Sequence, residues 1–139
     1  MKQDSVISST ANPTVKWLRG LGLRKNRDDE GLFVIEGLRD VAEAHKSGFE
    51  LHTLVTARDG EYDLTAPRHL RVTPDIMSRI VNRDNAQPVM AVLHQRWAQA
   101  DVCGRGLWLV LEDIRDPGNL GTIIRTADAV SAAGVLLVG

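Results

Sequence analysis

The chain has a single cysteine, Cys103, in 139 residues, which excludes an internal disulfide and any cysteine-cluster zinc site. No apolar run reaches the roughly 20 residues that a membrane span needs. The opening residues, MKQDSVISSTANP, contain no apolar core of signal-peptide length, so the default reading is a cytoplasmic protein with no membrane partner. A formal net charge of −1 rules out a global polycation. Nucleotide-binding signatures are also missing. Gly20-Leu21-Gly22 begins like a dinucleotide fingerprint but has no third glycine and follows no strand, and there is no phosphate-loop Gly-Lys-Ser/Thr. The four histidines, His45, His52, His69 and His94, are scattered without ligand spacing and read as ordinary surface or boundary residues. Asp113 and Asp116 read as structural residues of a proline turn, and Ser131 has no histidine near it in sequence, so no metal site is expected.

What is present is the makeup of a soluble globular protein, with 43% apolar and 25% charged residues. Asn12-Pro13 reads as a helix start, followed by an apolar stripe of Val15, Leu18 and Leu21. Leu32 to Ile35 is a short apolar strand ending at Glu36-Gly37. A helical face of Leu38, Val41, Ala42 and His45 follows, stopped by Gly48. Leu51 to Thr56, Leu70 to Val72 and Val89 to Leu93 read as further strands, and Thr73-Pro74 opens a helix carrying Ile76, Met77 and Ile80. Strands alternating with helices predict an α/β layer structure over residues 1–94. Residues 95–106 are polar and without sustained periodicity, and are expected to link two domains.

From residue 107 onward the pattern changes. Leu107 to Leu111 is almost continuously apolar, as in a parallel strand covered on both faces. Asp116-Pro117-Gly118-Asn119 is a turn, with Asn119 expected to cap the next helix. On that helix Leu120, Ile123, Ile124, Ala127 and Val130 share one face, while Gly121, Arg125 and Asp128 share another. Ala132-Ala133-Gly134 is expected to end it, and Val135 to Val138 begins a second strand. Ligands of open α/β sheets bind beyond the carboxyl ends of the strands, where this turn lies. Arg125 therefore has two readings: an anion fork with clearance from Gly121, or a surface pair with Asp128.

The charge distribution is also open to two readings. Lys16, Arg19, Arg24, Lys25 and Arg27 form a run without an acid, followed at once by Asp28-Asp29-Glu30. Such a patch is either an RNA footprint, favoured by counterion release, or a solvated helix face balanced by nearby acids.

The run Asp116-Pro-Gly-Asn119-Leu-Gly121-Thr-Ile-Ile-Arg125-Thr-Ala-Asp-Ala resembles the first motif of the SpoU (TrmH-like) RNA ribose 2′-O-methyltransferases. Ile7-Ser8-Ser9 with Asn12-Pro13, then Arg24-Lys25-x-Arg27 and Phe33-Val-Ile-Glu36-Gly37, is similar to the family's small L30e-like substrate-binding domain. The resemblance implies an L30e-like α/β sandwich over residues 1–94, then the first β-α-β unit of an α/β-knot (SPOUT) methyltransferase domain over residues 107–139. It implies methyl transfer from S-adenosylmethionine to a ribose 2′-hydroxyl of RNA, in particular ribosomal RNA. Asn119 and Arg125 are then the catalytic positions. Lys16, Arg24, Lys25, Arg27 and Arg125 contact RNA, and Asn12 and Glu36 fix local turns.

The family's second and third motifs, which build the knot, most of the cofactor pocket and much of the homodimer contact, lie beyond the stretch matched here. No cofactor-binding residue is therefore assigned. Both apolar strands of the last segment are expected to lie exposed, and the 139-residue chain is expected to aggregate and to bind S-adenosylmethionine poorly. A rival reading is a non-catalytic RNA-binding module, for which the first domain suffices.

Overall fold

The computed structural model describes residues 6–60, 62–98 and 103–139. The chain divides into two compact units, Met1–Arg96 and Trp97–Gly139. Part of the expected linker, residues 99–102, lies outside the described residues. Gln95 and Arg96 hold to the first unit: the Gln95 amide donates to the carbonyls of Arg27 and Leu32, and the Arg96 guanidinium lies 4.8 Å from the centre of the Phe49 ring.

The first unit is a four-stranded sheet covered on both faces. In chain order its elements are α1 (Pro13–Gly20), α2 (Arg24–Glu30), β1 (Leu32–Glu36), α3 (Leu38–Lys46), β2 (Leu51–Thr56), β3 (Arg68–Arg71), α4 (Pro74–Val81) and β4 (Val89–His94). The strand order is β1-β4-β2-β3; β4 runs antiparallel to both neighbours, and β2 and β3 are parallel. Ile7 adds a single bridge beyond β3, exchanging backbone hydrogen bonds with Arg71 and Thr73.

Side-chain alternation sorts the sheet into two cores. Met90 and Val92 of β4 join Val55, Val15, Leu18, Ile76 and Met77 on the face that includes residues of α1 and α4. Val89, Ala91 and Leu93 join Leu51, Leu54 and Val41 of α3 on the other. This two-sided cover is why β4 is continuously apolar. Local signals start the helices: the Asn12 side chain accepts from the Thr14 amide, and Thr73 does the same for Ile76, each ahead of a proline that is already set for a helix.

Three expectations shift. The third strand is Arg68–Arg71, two residues earlier than read, and Val72 instead bridges Ile7. His45 is exposed, and Ala44 packs in its place against the second core. The basic run is not one helix face: the chain breaks at residues 21–23, and α2 forms a separate helix with no buried residue.

The second unit contains β5 (Trp108–Glu112), α5 (Pro117–Ala129) and β6 (Gly134–Val138), with β5 and β6 paired in parallel from Trp108↔Gly134 to Glu112↔Val138. The Trp108 ring lies against Gly134, where a Cβ would collide with it, so glycine is needed at the start of β6. Within this unit Ala127 is the only buried apolar residue among those described; Leu107, Val110, Leu136, Leu137 and Val138 are exposed, as expected from the sequence, whereas Leu109, Leu111 and Val135 are half-buried.

Candidate functional site

Asp113 to Asp116 leave the carboxyl end of β5 and lead directly into α5. Asp113 adopts a left-handed backbone, φ 53°, and its amide donates to the Val138 carbonyl over 3.0 Å. That bond ties the loop to the end of β6, so both strand ends open on the same side.

The helix begins one turn earlier than the sequence suggested. Asp116, not Asn119, is its N-cap: the Asp116 carboxylate accepts from the Gly118 amide at 2.7 Å. Pro117 at the first helical position fixes the entry and has no amide to satisfy, which places Asn119 inside the first turn with an exposed side chain. At the other end α5 stops at Ala129, and Ser131 takes a left-handed backbone, φ 54°, before Gly134 opens β6.

Arg125 does not pair with Asp128 among the described residues. Its guanidinium turns back toward the start of α5, donating to the Thr122 hydroxyl at 3.2 Å. Thr122 in turn donates to the Gly118 carbonyl at 3.0 Å, which fixes the hydroxyl that receives the arginine. A Cβ on Gly121 would stand 3.4 Å from Arg125 Nη1, so the guanidinium lies against bare backbone. The charge is thus held by a neutral group and stays available for an anion. Asn119 and Arg125 lie on the first and third turns of one exposed helix.

The remaining sequence-assigned cations divide. Lys16 on α1 and Lys25 on α2 are exposed, and Arg24 meets Asp28 at 3.4 Å with both side chains more than half exposed, a pair of little energetic weight. Arg27 is half-buried and structural: its Nη1 donates to the Leu21 and Gly22 carbonyls, closing the end of α1 against α2. Glu36 ties down the loop before β4, accepting from the Gln87 amide at 2.7 Å and facing Arg83 at 3.6 Å.

The structure also gathers residues that are far apart in sequence. Trp17, His52 and His94 form a row of rings, with centroids 5.6 Å and 5.4 Å apart, and the Trp17 indole donates to Glu30. Burial pushes the His52 imidazole below its ordinary value of 6.5; His94 and Arg68 push the same way, against Glu30. The sequence carried no local signal for this row, because its members come from α1, β2 and β4.

Residues 12–91 match the description of the MRM3-like substrate binding domain. The chain belongs to that family. It is 37% identical, over 94% of its length, to an uncharacterized tRNA/rRNA methyltransferase of Synechocystis, and covers 52% of that protein. It is 32% identical, over 99% of its length, to the 23S rRNA (guanosine(2553)-2'-O)-methyltransferase RlmP of Bacillus subtilis, covering 54% of it. An AdoMet-bound rRNA methyltransferase from Sinorhizobium meliloti superposes with a TM-score of 0.83 at 38% identity, over 97% of this chain and 54% of that one. The chain therefore spans about half the length of the relatives it matches, and the resemblance read from its motifs agrees with what those relatives are named for.

Proposed function

We propose that this chain serves 2′-O methylation of ribosomal RNA, with S-adenosylmethionine as donor. In this reading residues 1–94, with Gln95 and Arg96 held to them, are an L30e-like domain that docks RNA, residues 97–106 link, and residues 107–139 open the catalytic domain. The observation that carries it is Arg125, held against Gly121 by a threonine hydroxyl on the helix that leaves the carboxyl end of a parallel strand.

A ribose hydroxyl attacks only as its proton leaves. Arg125 keeps its own proton at any working pH, so it acts as an anion holder and not as a base. It fixes the target phosphate and stabilises the oxyanion as charge develops, while Asn119 orients the ribose from about 1.7 turns earlier. Requirement for a 2′-hydroxyl selects RNA over DNA. When bound, S-adenosylmethionine would supply the methyl group and leave as S-adenosylhomocysteine, with the hydroxyl proton passing to solvent. No residue of this stretch is assigned to the cofactor. Lys16, Arg24 and Lys25 provide the sequence-independent attraction to RNA, and Arg27 holds the turn between the helices that carry them. The working enzyme is cytoplasmic and a homodimer in this reading.

The test is a chimera in which residues 1–139 replace the matching part of the Bacillus subtilis methyltransferase, followed by transfer of labelled methyl to ribosomal RNA. Arg125→Ala should lower transfer by roughly a hundredfold or more while leaving RNA binding near its original strength. Undiminished transfer would remove Arg125 from the reaction. A folded chimera that binds RNA and transfers no methyl group favours the second reading, an RNA-binding module, which the self-contained core of the first unit supports.

A further inference from the structure

On the face of the sheet that carries Met90 and Val92, the next β4 position is His94, so the apolar stripe ends in an exposed imidazole. His52 sits beside it on β2, at the irregularity between Leu51 and Thr53. Its Nδ1 is 2.9 Å from the buried Thr53 hydroxyl, which fixes the ring's orientation. The Trp17 ring closes the row from α1, and its indole is fixed in turn by Glu30 at 2.6 Å. Arg68, at the start of β3, lies on the same rim and donates to the Thr14 hydroxyl of α1 at 3.1 Å, so it too is held by a neutral partner. The rim therefore offers three planar rings in a row, two anchored from behind, with a guanidinium alongside.

We propose that this rim is a single-stranded RNA subsite, in which an unpaired nucleobase stacks on the His94 end of the ring row and an adjacent phosphate lies on Arg68. The assignment rests on the RNA reading above and adds where, and in what form, the first unit takes its RNA. The chemistry fits an unpaired base better than a duplex. A stacked base needs an accessible π-face, which a paired base hides, whereas duplex RNA is recognised through phosphates and 2′-hydroxyls across a groove. A ring row is tolerant of base identity because every base has a π-face. Burial favours the neutral form of His52, so the inner ring adds no fixed charge, leaving phosphate attraction to Arg68. Glu30, the acid that holds the Trp17 indole, opposes the RNA backbone.

The experiment is fluorescence anisotropy of the whole 139-residue chain with a labelled oligoribonucleotide of about 10 unpaired nucleotides. His94→Ala should weaken binding roughly tenfold, and His94→Phe, which keeps a ring, should restore most of it. Arg68→Ala should weaken binding and lower the salt dependence by about one phosphate contact. Glu30→Gln, which keeps an acceptor for the Trp17 indole, should strengthen binding. Lys46→Ala on α3, the helix of the other core, serves as a control with unchanged affinity. Far-UV circular dichroism of each variant confirms the fold. If the chain binds the oligonucleotide and His94→Ala and Arg68→Ala bind like the parent, the subsite is wrong and the RNA reading survives. If the parent binds no RNA at all, the reading on which the subsite rests falls with it.

Discussion

β4 and β5 are nearly the same statement in sequence, Val-Met-Ala-Val-Leu-His against Trp-Leu-Val-Leu-Glu, yet they end in opposite circumstances. All five apolar residues of β4 are buried, with α1 and α4 contributing to the core on one face and α3 to the core on the other. In β5, Val110 is 63% exposed, and no residue of the strand is buried. An unbroken apolar run therefore reports that a strand requires cover on two faces; it does not report that the cover is present in the same unit. The first unit supplies its own, whereas the second shows one helix beside a strand pair with Ala127 as its only buried side chain among the described residues.

The largest expected effect tests that contrast directly. Leu93→Ala removes a fully buried side chain from a packed face and should cost about 3 kcal/mol, seen as a lower urea midpoint for the far-UV signal. Leu137→Ala, at a position 59% exposed, should change stability by less than about 0.5 kcal/mol. A comparable loss from both substitutions would mean that the second unit has a closed core in solution and would end the comparison.

Capping gives a smaller and more diagnostic contrast. Thr73→Ala deletes the acceptor for the Ile76 amide, and because α4 is part of the first core the loss of about 1 kcal/mol should appear in global unfolding. Asp116→Ala deletes the matching contact of α5, to the Gly118 amide. Since α5 buries only Ala127, the effect should appear as faster amide exchange within α5, with the main urea transition unmoved. A shift of the main transition in Asp116→Ala would show that the two units unfold together.

Much of this was legible in the chain because local rules decided it. The starts of α1 and α4 follow from Asn12-Pro13 and Thr73-Pro74, and β1, β2 and β4 follow from apolar runs bounded by turn residues. The motif around Arg125 also announced a helix at the end of a strand. What was not legible depends on tertiary contacts. Helix α2, Arg-Lys-Asn-Arg-Asp-Asp-Glu, has no apolar periodicity and is positioned by Arg27 against the Leu21 and Gly22 carbonyls that follow α1 and by Glu30 against Trp17. Asn119 looked like the cap because it precedes the apolar face, but an aspartate immediately before a proline starts the helix a turn sooner. The ring row is invisible in sequence for a simpler reason: positions 17, 52 and 94 meet only when the sheet forms.

The smallest predicted effect uses that row to separate the units by acidity. All four histidines lie in the first unit, so imidazole protonation can act only there. His52 has a folded pKa below its ordinary value of 6.5, with burial as the leading cause and His94 and Arg68 adding to it. Between the folded and unfolded values the unfolded chain binds more protons, so this group's stabilisation is complete above 6.5 and is lost as the pH falls below it. The urea midpoint of the first unit should drop on acidification through that window, and the drop should shrink in His52→Asn, which keeps a polar group for the Thr53 hydroxyl. Glu30 opposes the shift, so Glu30→Gln should depress the His52 value further and carry the loss to lower pH. If His52→Asn shows the same acid sensitivity as the parent, the protons responsible bind elsewhere, and the row distinguishes the first unit by geometry alone.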